Sequence, residues 1–150
     1  MPLPIVFAGD PVLRQVARPL PPDELRSPRI QNLIGAMQET MRQAPGVGLA
    51  APQIGESIQL VVIEDRAECP PDLPQARWDE LERSHVPFHV LVNPVIISCS
   101  PDLAAFYEGC LSVPGYRCVV PRARRVEVSA CNEKGDPVRI HGRGWYARIL

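Results

Sequence analysis

Residues 46–55 read Gly46-Val47-Gly48-Leu49-Ala50-Ala51-Pro52-Gln53-Ile54-Gly55. Three glycines and two alanines in ten positions leave little side-chain bulk, so another backbone can approach closely, and a polar Gln53 stands near the segment's end. A tight turn against a core strand is the plain alternative. The phosphate-loop reading fails, because that motif needs G-x-x-x-x-G-K-[ST], whereas Leu49 and Ala50 follow Gly48 and no lysine is near.

Upstream, Ser27-Pro28 followed by Ile30, Leu33, Ile34, Met37 and Met41 predicts a helix: an N-cap, a first-turn proline, then an apolar stripe at helical spacing. Ala44-Pro45-Gly46 ends it. Downstream, Ile58 to Ile63 and Phe88 to Ile97 read as strands, the second at an edge or with a bulge because of Pro87 and Pro94. Arg125 to Cys131 alternates in polarity, Asn132 to Asp136 is turn-like, and Val138 to Ile140 returns as a hairpin partner. The acidic, proline-containing stretch from Glu64 to Glu82 reads as a surface loop. Gly142 to Leu150 reads as a glycine turn leading into a helix whose apolar Ile149-Leu150 has no cap, which predicts a chain that continues beyond it.

A second motif, Glu108-Gly109-Cys110-Leu111-Ser112-Val113-Pro114-Gly115, sets a cysteine beside a glycine and a turn. Cys110 is open to three readings: a buried inert thiol, a nucleophile with His85, His89 or His141 as base, or a metal thiolate. His85 and His89 have i, i+4 spacing, but Pro87 between them removes the helix that would make that spacing a metal-binding face.

Composition bounds the rest. The chain has 150 residues, 45% hydrophobic and 22% charged, with a formal charge of -1. That suits one globular domain and argues against a protein devoted to coating DNA, RNA or anionic membrane. Eighteen prolines spread through the chain speak for broken elements and loops rather than a helix bundle. Five cysteines form no C-x-x-C pair, which points to a reducing compartment. Met1 to Asp10 lacks the basic and apolar regions of a secretory signal, and no stretch is long enough to span a membrane. A reducing, cytosol-like compartment is the expected location.

Together the motifs resemble the peptide deformylase family, recognised by G-φ-G-φ-A-A-x-Q, E-G-C-φ-S and H-E-x-x-H. The first two stand here as GVGLAAPQ and EGCLS in the right order, flanked by Asp10-Pro11-Val12-Leu13-Arg14, by Val92-Asn93-Pro94 and by Arg117 with Pro121-Arg122. No H-E-x-x-H occurs within the 150 residues. The resemblance implies an α+β fold of short antiparallel sheets around a central helix, with that helix mostly beyond residue 150. It implies one such domain over residues 1–150.

The implied activity is metal-dependent removal of the N-formyl group from the formyl-methionine of new polypeptides, with ferrous iron as the metal and nickel, cobalt or zinc as substitutes. Cys110 corresponds to a metal ligand. The Gln53 amide and the Leu111 backbone N–H correspond to donors for the developing oxyanion. Val47, Gly48 and Gly109 correspond to backbone partners of an extended peptide, and Val47 and Trp145 to walls of its methionine pocket. A catalytic metal needs about three protein ligands, and one is present. A truncated, metal-free homologue that binds peptides or regulates is therefore the alternative function. Arg117, Arg122, Arg124 and Arg125 read as a solvated hairpin end before they read as a transient ribosome contact.

Overall fold

The computed structural model describes residues 2–150. Four α-helices, α1 (Pro22–Leu25), α2 (Pro28–Gln43), α3 (Gln75–Glu80) and α4 (Gly144–Ile149), are combined with seven strands. The strands are β1 (Gly48–Ala50), β2 (Leu60–Asp65), β3 (Val86–Cys99), β4 (Leu103–Cys110), β5 (Val113–Ala123), β6 (Arg125–Cys131) and β7 (Pro137–Arg143). All strand pairs are antiparallel. One sheet has the order β1-β2-β3-β6-β7, and β4-β5 is a separate ribbon. The α+β expectation therefore holds. Among the described residues no helix is long and apolar enough to cross a membrane.

α2 forms for the reasons the sequence gives. The Ser27 hydroxyl accepts from the Ile30 N–H, Pro28 occupies the first turn, and Ile30, Ile34, Met37 and Met41 are buried along one face. The helix closes where the Gly46 N–H donates to the Met41 carbonyl at 2.9 Å. Alternation along the strands then builds three layers. Leu60, Val62, Val90 and Val92 join the α2 core, while Ile63, Leu91 and Ala130 face the other way and receive Tyr146, Ile149 and Leu150 of the C-terminal segment.

Two sequence expectations need correction, and one element was not expected. β3 is an interior strand, so the edge alternative for Pro94 fails and the bulge alternative holds. The β3–β6 register shifts between Val92 and Val95, Asn93 sits at φ 51°, and the Asn93 amide exchanges hydrogen bonds with the backbone of Leu20 at 2.8 and 2.9 Å. The Glu64–Glu82 stretch is not only loop, since it contains α3, and Asp65 is buried and paired with Arg83 at 2.8 Å. The β4–β5 ribbon has no counterpart in the sequence reading.

The first residues form an extended strap over the fold. The Leu3 N–H donates to the Thr40 hydroxyl at 2.8 Å, Val6 N–H to the Gln53 carbonyl at 2.9 Å, and Ala8 N–H to the Ser112 carbonyl at 2.8 Å.

Because Met37 is 0% exposed in the α2 core, Met37→Ala is expected to lower unfolding stability by about 2–5 kcal/mol. Val16→Ala, at a side chain 93% exposed, should stay within about 0.5 kcal/mol of the parent in the same urea titration.

Candidate active site

Gln53 lies in the short 3-10 turn Ala51–Ile54 that follows β1. Its Oε1 accepts the Ala50 N–H at 2.9 Å, and of the two ends of a carboxamide only the oxygen can accept. The amide orientation is thereby fixed. Nε2 points at the Cys110 Sγ, 3.6 Å away, and donates to the Ser112 hydroxyl at 3.2 Å. The two motifs, far apart in sequence, meet at this contact.

Cys110 ends β4, and Leu111-Ser112 turn the chain into β5 with Cys110 opposite Val113. The thiol residue is exposed, so the buried inert reading fails. Leu111 lies on Gly46, where an added Cβ would come to 2.7 Å from Leu111 Cδ1. The missing side chain of Gly46 is thus used by the chain's own second motif. Gly48 of β1 pairs with Ile63 of β2, and β1 is an outer strand of the sheet, so one of its edges is unpaired by the sheet. The Val47 carbonyl accepts from Glu64 N–H at 3.1 Å. Gly109 stands opposite Arg117 on the ribbon.

Trp145 sits on α4 beside Phe106, with ring centroids 6.4 Å apart, between the guanidinium groups of Arg83 and Arg148 at 5.4 and 5.6 Å. Its route to the site runs through Arg148. That side chain is 5% exposed and bonds the Glu108 carboxylate at 2.9 Å, the Val120 carbonyl at 2.8 Å and the Ala104 carbonyl at 2.6 Å. Glu108 also pairs with Arg122, and the Arg122 guanidinium, followed by Arg148, holds its carboxyl below the ordinary 4.5 against the opposing effect of burial. The family resemblance puts Arg148 at a pocket-side position and leaves its effect open; its burial against Glu108 and the ribbon carbonyls is a contact the sequence does not disclose.

The histidines do not join the thiol. His89 Nδ1 contacts the Pro87 carbonyl at 2.9 Å, which requires an N–H there, and His89 Nε2 meets the Tyr146 hydroxyl at 2.8 Å. Burial pushes the Tyr146 hydroxyl up to about 12. His141 lies on β7 opposite Glu127. Among the described residues no group of three His, Cys, Asp or Glu side chains is arranged to hold a metal ion. Cys110 is a single donor, so these residues alone do not make a catalytic metal centre.

A family model described as Polypeptide deformylase matches residues 2–150. The chain belongs to that family. It is 45% identical over 146 residues to peptide deformylase 1A, chloroplastic/mitochondrial, of Arabidopsis thaliana, covering 97% of this chain and 54% of that protein. It is 47% identical over 149 residues to peptide deformylase 3 of Streptomyces avermitilis, covering 99% and 64%. The chain thus spans about half to two thirds of these relatives' lengths. A class I type b peptide deformylase from Acinetobacter baumannii, crystallised with Met-Ala-Ser, superposes with a TM-score of 0.86 at 33% identity, covering 99% of this chain and 88% of that one. The peptide deformylase family is generally metal-dependent.

Removing Arg148 leaves Glu108 with Arg122 as its one guanidinium and takes away the side-chain donors to the Val120 and Ala104 carbonyls. Arg148→Met is expected to cost about 1–3 kcal/mol in urea unfolding. The depressed Glu108 carboxyl adds stability fully above its ordinary 4.5 and loses it as pH falls through the folded-state value. Glu108→Gln should therefore lower stability at neutral pH and flatten the acid limb of the stability–pH curve.

Proposed function

We propose that the polypeptide containing this chain hydrolyses the formamide bond of N-terminal formyl-methionine on newly made polypeptides. The observation that carries this reading is the Gln53 amide nitrogen 3.6 Å from Cys110 Sγ, beside the unpaired edge of β1. Water adds to the formyl carbon and negative charge develops on the formyl oxygen. The Gln53 N–H and the Leu111 backbone N–H stabilise that charge. Collapse breaks the C–N bond, the amine takes a proton, and formate leaves.

The peptide lies extended along β1, pairing with the backbone at Val47 and Gly48 and approaching Gly109, as an added strand. The Val47 side chain and Trp145 wall the methionine pocket. The Met-Ala-Ser tripeptide in the Acinetobacter relative, which begins with a methionine, supports a site of this kind. Substrates are nascent chains, met in a bacterial cytoplasm or an organelle, and relatives of both kinds support either setting.

Cys110 is proposed as one ligand of a divalent metal, ferrous iron in the first place, with nickel, cobalt or zinc as substitutes. The remaining donors are proposed to lie outside residues 1–150. Activation of the attacking water is beyond what these residues do alone. They bind, orient and stabilise charge. The single donor also supports a second reading, a metal-free homologue that keeps the peptide-binding edge.

The product of the complete open reading frame, prepared with ferrous iron, is expected to release formate from a formyl-Met peptide. The 150-residue chain alone is expected to bind no stoichiometric metal and release none. Full occupancy and activity in the short chain would sink the shared-donor proposal and return attention to His85, His89 and His141. An inactive, metal-free product of the complete frame that still binds Met peptides would establish the second reading. In the active protein Gln53→Leu should lower kcat by about 10² to 10³ at unchanged metal content, whereas Cys110→Ala should remove the metal.

A further inference from the structure

We propose that Ser112 is a positioning residue, whose hydroxyl fixes the direction in which the Gln53 amide presents its N–H groups; the inference rests on the deformylase reading above. A carboxamide on an sp³–sp² torsion rotates broadly, so one contact does not aim it. The Ala50 N–H on Oε1 decides which end of the amide is oxygen. A second contact is needed to fix its tilt.

Ser112 supplies that contact from the ribbon's turn. It is 4% exposed, although a turn serine is ordinarily free to face water. Among the described residues the buried polar ones are Thr40, Asp65 and Ser112. Thr40 bonds Leu3 N–H and the Ala36 carbonyl, and Asp65 bonds Arg83 and Ala67 N–H. The side-chain partner of Ser112 is the Gln53 amide, at 3.2 Å.

The backbone holds this serine in place. Its carbonyl accepts Ala8 N–H at 2.8 Å, and the same strap holds the Gln53 carbonyl through Val6 N–H at 2.9 Å. Both ends of the Ser112–Gln53 bond are therefore tied to one extended segment. One amide proton is assigned to Ser112 and the other is left toward Cys110 Sγ, the side from which a reacting oxygen would be met. Ser112 touches no reacting atom in this scheme and acts through Gln53.

The test uses Ser112→Ala and Ser112→Thr in the complete gene product, each alone and with Gln53→Leu. Ser112→Ala is expected to lower kcat about tenfold, a fraction of the loss from deleting an oxyanion donor, with KM and metal content unchanged. Ser112→Thr keeps the hydroxyl and should restore most of kcat. In the Gln53→Leu background the alanine change should have no further effect, because a residue acting through Gln53 loses its route when Gln53 is gone. The same tenfold loss in both backgrounds, or no loss in either, overturns the proposal.

A readout independent of activity is the Gln53 side-chain amide in ¹⁵N NMR of the complete gene product prepared with zinc. Its proton exchange with water should quicken about fivefold in Ser112→Ala, the factor expected for one lost hydrogen bond of ordinary strength, and stay slow in Ser112→Thr. Unchanged exchange in the alanine variant overturns the coupling. A parent protein that shows this amide response but releases no formate supports the coupling and sinks the deformylase reading instead.

Discussion

A two-stranded ribbon has no core of its own, and Cys110 lies at the tip of one. The β4–β5 ribbon pairs with no strand of the five-stranded sheet, so the place of its tip is decided by contacts of other kinds. Leu111 fills the space above Gly46, a steric fit. Ala8 takes the Ser112 carbonyl, a backbone hydrogen bond. Arg148 takes Glu108, Val120 and Ala104, a charge satisfied from three directions. Burying a guanidinium is costly unless its donors are paired, and here the pairing extends to the faces of Phe106 and Trp145 at 5.3 and 5.6 Å. Each contact joins the ribbon to a different part of the molecule: the segment before β1, the N-terminal strap and α4.

These contacts explain why the glycine-rich segment is so lean. Gly46 is not spare room for a ligand, because Leu111 already uses it. Gly48 meets Ile149 Cγ2 only at ordinary contact distance for an added Cβ, 3.6 Å, and lies on an outer strand. The first glycine therefore serves assembly of the site, whereas the second stands where an added strand would run.

Much of the scaffold was legible in the sequence. α2 was readable from Ser27, Pro28 and the apolar stripe, because capping and periodic burial both leave marks in local sequence. The β6–β7 hairpin was readable from alternation ending at Asn132 to Asp136. The β4–β5 ribbon was not, because alternation records burial of one face, and Leu103, Tyr107, Tyr116 and Val119 remain exposed. Pro94 misled toward an edge, since the bulge that admits it depends on Asn93 bonding to distant Leu20. Within the site, Gln53 and Cys110 stood out through the two motifs, but what holds them did not. Ser112 closes the second motif, but its pairing with Gln53, like that of Arg148 with Glu108, is made by tertiary structure and leaves no trace in local sequence.

The strap has a consequence for the order in which the molecule is made. Val6 and Ala8 leave the ribosome well before Ser112, whose carbonyl Ala8 needs. Closing so long a loop brings an entropic penalty before any contact offsets it. α2, built from local contacts, has no such wait. Leu3 and Val6 find their partners, Thr40 and Gln53, once α2 and β1 are in place, but Ala8 stays unpaired until the ribbon has turned. The strap therefore closes in two stages, the second of them late.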